Sequence, residues 1–91
     1  MKPAVLVERI IREQEQIIGP LAWVEAKKVS GLTVDVKKHR VDVVGKTRDA
    51  LSQLVKQYEG LFGRASREVC RDAVRSFLPE MPAQDVPDVL K

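Results

Sequence analysis

Apolar positions along this chain follow a helical period, switch to strict alternation, and then return to the helical period. In the first segment Val7, Ile10, Ile11, Ile17, Ile18 and Leu21 recur at steps of three and four, and Glu8, Arg9, Arg12, Glu13, Glu15 and Gln16 fill the other positions. That spacing predicts an amphipathic helix from about Pro3 to Ile18. Pro3 suits its first turn, where a missing N–H breaks no helical bond. Glu8 and Arg12, four apart, add roughly a few tenths of a kcal/mol. Gln14 falls on the apolar seam, where the pattern asks for an aliphatic residue. Gly19-Pro20 breaks the helix, because a proline disfavours the α conformation at the residue before it. A shorter helix is predicted from Pro20 to Val29, carrying Leu21, Trp23, Val24, Ala26 and Val29. Ser30-Gly31 ends it, with the glycine expected at positive φ.

Alternation follows. Leu32, Val34 and Val36 alternate with Thr33, Asp35 and Lys37, and Val41 and Val43 alternate with Arg40 and Asp42. Period two with valine enrichment predicts two strands of a β-hairpin. Pairing Val36 with Val41 and Val34 with Val43 puts the valines on one face, and a one-residue slip breaks the match. That register sets Asp35 opposite Asp42. The turn, Lys38-His39 or a wider Lys37 to Arg40 loop, lacks the Asn-Gly chemistry of a tight primed turn, so a loose loop is expected.

The helical period returns with Leu51, Leu54, Val55, Tyr58, Leu61 and Phe62, capped by Thr47 or Asp49 and ended by Gly63. A fourth helix, capped by Ser66 and stopped by Pro79, carries Val69, Cys70, Ala73, Val74, Phe77 and Leu78. Residues 1–79 form the predicted single domain. Residues 80–91, with Pro82 and Pro87, form a Pro-containing tail for which two forms are open: Val86, Val89 and Leu90 pack as a last turn, or the tail is loosely packed. The fold class is α+β, mostly helical, in the order α-α-β-β-α-α with one central hairpin. Helices three and four are expected as an antiparallel pair covered by the valine face and the first helix.

Composition narrows the class. The chain has 91 residues, 44% hydrophobic and 32% charged, enough apolar surface to fold as one small domain. A core this small often gains by dimerising. The formal net charge of +3 is scattered, unlike the dense basic stripe of a nucleic-acid binder. A single cysteine, Cys70, excludes a disulfide framework within one chain and fits a reducing, cytoplasmic setting. No leader pattern opens the sequence, and no stretch approaches the roughly 18 apolar residues of a membrane span. No membrane partner is expected.

Candidate chemistry is sparse. Val44-Gly45-Lys46-Thr47 resembles the end of a phosphate-binding loop, but the motif needs a glycine where this chain has Arg40. Asp35 and Asp42 make a poor metal site by themselves. His39 is the only histidine and lies far along the chain from Cys70, which reads as a small core residue. Trp23, the single tryptophan, reads first as core. No catalytic, cofactor-binding or metal-ligating set is expected, and the chain reads as a non-enzyme. Two surface features remain. Lys37, Lys38, His39 and Arg40 form a basic hairpin tip suited to an acidic protein or to phosphates. Ile10, Gln14 and Ile17 mark the first helix as an association surface, because a polar residue on an apolar seam can set partner choice.

The segment Ile18-Gly19-Pro20-Leu21-Ala22 resembles a small helical module appended to some bacterial signalling proteins, Ser/Thr kinases among them, which reads roughly Ile-Gly-Pro-Ile-Ala. The hairpin from Leu32 to Val44 is a departure from that module. The resemblance implies a non-catalytic accessory or interaction domain and carries over no functional residue. The expected function is a non-enzymatic protein-interaction module, a homodimer in a regulatory or signalling assembly. Nucleic-acid binding through the basic tip is the alternative.

Overall fold

The computed structural model describes residues 2–91. It is mostly helical, with a two-stranded antiparallel hairpin. The order is α1 (Pro3–Ile18), α2 (Leu21–Lys27), β1 (Leu32–Asp35), β2 (Arg40–Val43), α3 (Thr47–Phe62) and α4 (Arg64–Val74), then three short 3-10 helices, Arg75–Glu80, Ala83–Asp85 and Asp88–Leu90. Gly19 and Gly63 end α1 and α3 at φ of 71° and 83°, and each donates its N–H to the carbonyl four residues back. Only glycine takes that conformation at little cost. The chain leaves each helix in a sharp bend, so that α4 begins one residue after α3.

That bend also moves the caps. Ser66 does not cap α4; it lies buried in its first turn, and the cap position is Gly63. Thr47 is likewise the first residue inside α3, behind Lys46. Pro79 does not stop an α-helix at Leu78, because α4 changes to 3-10 geometry at Arg75. A proline ring clashes with the carbonyl four residues before it, which here is Arg75. Gly31 is not at positive φ, unlike Gly19 and Gly63. Its missing side chain serves a close approach: a Cβ there would lie 3.0 Å from Ala50 Cβ, where the start of the hairpin meets α3.

The hairpin register is two residues from the expected one. Val34 pairs with Val41, Leu32 with Val43, Thr33 with Asp42, and Asp35 with Arg40. A two-residue slip keeps every valine on the same face, so alternation does not choose between the two registers. The observed one replaces an Asp–Asp repulsion by an Asp–Arg pair. The turn is then a four-residue loop, Val36 to His39, in which Asp35 Oδ1 accepts the Lys38 N–H at 3.0 Å.

The core joins Leu6, Val7, Ile10 and Ile11 of α1 to Leu51, Leu54, Val55 and Tyr58 of α3 and to Cys70 and Val74 of α4. The hairpin lies on α1 and α2, β2 beside α1 and β1 beside α2, rather than across α3 and α4. Of the two forms open to the segment 80–91, the structure has the packed one. Val86 and Leu90 enter the core, the last 3-10 turn sits on α4 and α3, and Arg71 donates to the Lys91 carbonyl at 2.7 Å.

Candidate interaction surfaces

The basic tip is folded back on the body of the protein. His39 takes φ of 53°, in the left-handed region that a β-carbon disfavours. This conformation lays its ring flat on Trp23, with centroids 4.7 Å apart and planes 7° apart. His39 Nε2 lies 3.9 Å from Glu15 Oε2 on α1. Trp23 itself is completely buried, and its indole N–H has no partner among the described residues. Lys37, Lys38 and Arg40 are exposed and form no ion pair among the described residues. The tip therefore divides: three cations face water, and the histidine serves as a lid over the tryptophan.

The association surface expected on α1 divides as well, and two of its three residues are corrected. Ile10 and Gln14 are 0% exposed, because α4 covers that side of α1. Gln14 Nε2 donates to the Ser66 carbonyl at 2.8 Å and reaches Cys70 Sγ at 3.4 Å. Its seam position fixes α1 against α4 within one chain. Ile17 is 64% exposed, beyond the reach of that contact. Leu21 and Val24 on α2 are exposed too, at 42% and 41%. Their i, i+3 spacing opposite the buried Ala22 and Ala26 is the sequence signal for this outward face, but periodicity does not say which side of a seven-residue helix is covered.

Tyr58, Cys70 and Glu25 are buried as well, whereas Gln14 Oε1 and Arg67 Nε are buried without a hydrogen-bond partner among the described residues. Tyr58 donates its O–H to the Ala22 carbonyl at 2.7 Å, and burial pushes its phenol well above the usual range. Burial pushes the Cys70 thiol up to about 11. Glu25 accepts from Gln57 at 2.8 Å and from Lys28 at 3.1 Å, and these bonds hold its carboxyl below the ordinary carboxylate range. His39 and Cys70 share no hydrogen bond: one contacts Trp23 and Glu15, the other Gln14. No group of three or more His, Cys, Asp or Glu side chains able to hold a metal occurs among the described residues. Lys46 and Thr47 line an open cleft with Arg48, Asp49, Gln84 and Asp85, where two acids offset the cations. A cleft of about 360 Å³ lies between Pro3, Leu6, Thr47 and residues 80–85 of the tail. A cleft of about 570 Å³ runs along β1 between Lys27 and Lys37.

Comparison with protein-family models, with curated proteins and with solved structures finds no match. No helix among the described residues is long and apolar enough to cross a membrane.

Proposed function

We propose that this chain is a non-enzymatic protein-interaction module that self-associates as a homodimer within a regulatory or signalling assembly. The observation that carries the reading is the exposure of Ile17, Leu21 and Val24 around the Gly19-Pro20 corner, three of six large apolar side chains exposed among the described residues, with Val5, Val44 and Leu61. Burying these three on a second copy removes them from water, and each aliphatic side chain fully buried is worth about 1.5–3 kcal/mol. The corner also carries the Ile18 to Ala22 segment on which the resemblance to a bacterial signalling module rests. Its partner residues are then Ile17, Leu21 and Val24, in place of Ile10 and Gln14. Light scattering tests this directly. The wild type is expected to have a dimer's mass that falls to a monomer's in Ile17→Glu/Leu21→Glu, with unchanged helical content. A wild type that stays monomeric at high concentration refutes the homodimer. Nucleic-acid binding through Lys37, Lys38 and Arg40 has less support, because Trp23, the aromatic nearest the tip, is sealed by His39 and offers no face to a base.

A further inference from the structure

The two edges of the hairpin are unequal. Val44 donates its N–H to the Gly31 carbonyl at 3.0 Å. Opposed residues in an antiparallel ladder alternate between bonded and non-bonded pairs. In the observed register Thr33–Asp42 and Asp35–Arg40 are therefore bonded pairs, and Leu32–Val43 and Val34–Val41 are not. The backbone groups of Leu32, Val34 and Val36 consequently point sideways, away from β2. The Leu32 N–H is taken by the Val29 carbonyl at 3.1 Å. The Val34 N–H and C=O and the Val36 N–H have no backbone or side-chain partner among the described residues outside the strand pair. β2 packs against the 16-residue α1, and β1 against the 7-residue α2.

That edge belongs to the cleft of about 570 Å³ that Lys27, Thr33, Val34, Asp35, Val36 and Lys37 line. Lys27 at the end of α2 and Lys37 at the tip are exposed and form no ion pair among the described residues. The one acid in the cleft, Asp35, accepts the Lys38 N–H and stands opposite Arg40. Lys38 and Arg40 add two more exposed cations at the same end of the hairpin.

We propose that the outer edge of β1 is a strand-addition site for an extended, acidic segment of a partner protein. The inference rests on the reading of the chain as an interaction module, and it holds whether or not the chain dimerises. Unpaired N–H and C=O groups along an edge strand are a template for another strand. A third strand also completes a sheet too small to be stable by itself. The lysines choose the occupant. An incoming strand of this same chain brings Lys27 and Lys37 against like charges, which opposes self-pairing, whereas carboxylates on the added strand neutralise them.

The test uses the full chain and, as probe, a capped peptide of about eight residues alternating valine and glutamate, a typical strand length. Amide NMR is expected to show saturable shifts at Val34 and Val36, with slowed exchange of the Val34 N–H. Lys27→Glu/Lys37→Glu, which touches no core residue, should weaken the interaction about tenfold or more, and a valine–lysine peptide should leave Val34 unmoved. Val34→Pro removes the edge donor and should abolish binding in protein that still melts cooperatively. A Val34 amide that does not respond at millimolar peptide, or a response unaffected by the lysine reversals, overturns the proposal. So does an oligothymidylate that shifts the tip and competes with the peptide while Val34 stays still, which marks a site for polyanions. Sedimentation of the same samples separates the two readings. A monomer with a responsive Val34 defeats only the homodimer, and a dimer with an unresponsive Val34 defeats only the strand addition.

Discussion

Gln14 and Glu15 are adjacent in sequence, yet about 100° of helix rotation sends them into regions built on opposite rules. Gln14 enters the α1–α4 seam, fully buried, and gives a 2.8 Å hydrogen bond to the Ser66 carbonyl. Glu15 turns toward the hairpin tip and lies 3.9 Å from a histidine whose side chain is 42% exposed. The seam is closed to bulk solvent, so one directed bond sets how two helices meet, and an error there is costly. At the tip the contact is long and open to water, and the ring stack on Trp23 is the closer hold on the loop. Seam and tip thus show one helix fixing one neighbour rigidly and another lightly.

The sharpest attempt to break this comparison is a charge in each place. Gln14→Glu puts a carboxylate into the sealed seam opposite a carbonyl oxygen and is expected to cost about 3–5 kcal/mol, read as a collapse of the urea midpoint. Glu15→Gln, one residue on, should change it by less than about 1 kcal/mol. Equal losses would remove the distinction. Tyr58→Phe, which removes the buried hydrogen bond that the hydroxyl gives to the Ala22 carbonyl, should cost about 0.5–1.5 kcal/mol in the same assay. At the tip, His39→Ala keeps the positive φ and loses the stack, at about 0.5–1.5 kcal/mol. His39→Gly relieves the backbone as it loses the ring, so its net effect should be smaller, and Trp23 emission reports the exposed ring in both.

Ionisation sharpens the contrast with smaller effects. Cys70 should resist a thiol reagent in the native protein and react once urea unfolds it. Its thiol is raised to about 11 by burial, so the stability that this neutral thiol contributes is present below the ordinary thiol range. It is lost as the pH climbs toward that value. Glu25 has the opposite sign. Its carboxyl is depressed by Gln57 and Lys28, so its contribution is present above the ordinary carboxylate range and is lost as acid protonates it. Glu25→Gln should flatten the acid side of a plot of melting temperature against pH, and an unchanged acid side would show that the Gln57 and Lys28 bonds to Glu25 are energetically idle.

Much of the fold was legible because its signals are local. The period of α1 predicts Pro3 to Ile18, and the structure has those bounds. The Leu51 to Phe62 stripe and Gly63 place α3 equally well. Valine alternation predicts both strands and the face they share, yet it is blind to a two-residue slip, and the opposed aspartates of the expected register vanish with it. Capping was misread at Ser66 because the glycine bend before it starts the helix early. The candidate surfaces were half legible. Lys37, Lys38 and Arg40 announce an exposed tip, but nothing in their vicinity says that His39 leaves them for Trp23. The apolar seam of α1 is plain, while the end of it that remains uncovered is not.

Periodicity and Gly-Pro breaks act within a turn or two of backbone, so the sequence by itself determined which segments are helix and which are strand. Tertiary structure decided what depends on chain arriving from far away. The Ser66 carbonyl that receives the Gln14 amide is 52 residues along the chain. Ala50, against which Gly31 must carry no side chain, belongs to another element. The packing of β1 against α2, and of β2 against α1, joins elements whose placement no local pattern gives. Hydrophobic spacing marks a face as apolar, but only packing decides whether that face is closed within the chain or left for a partner.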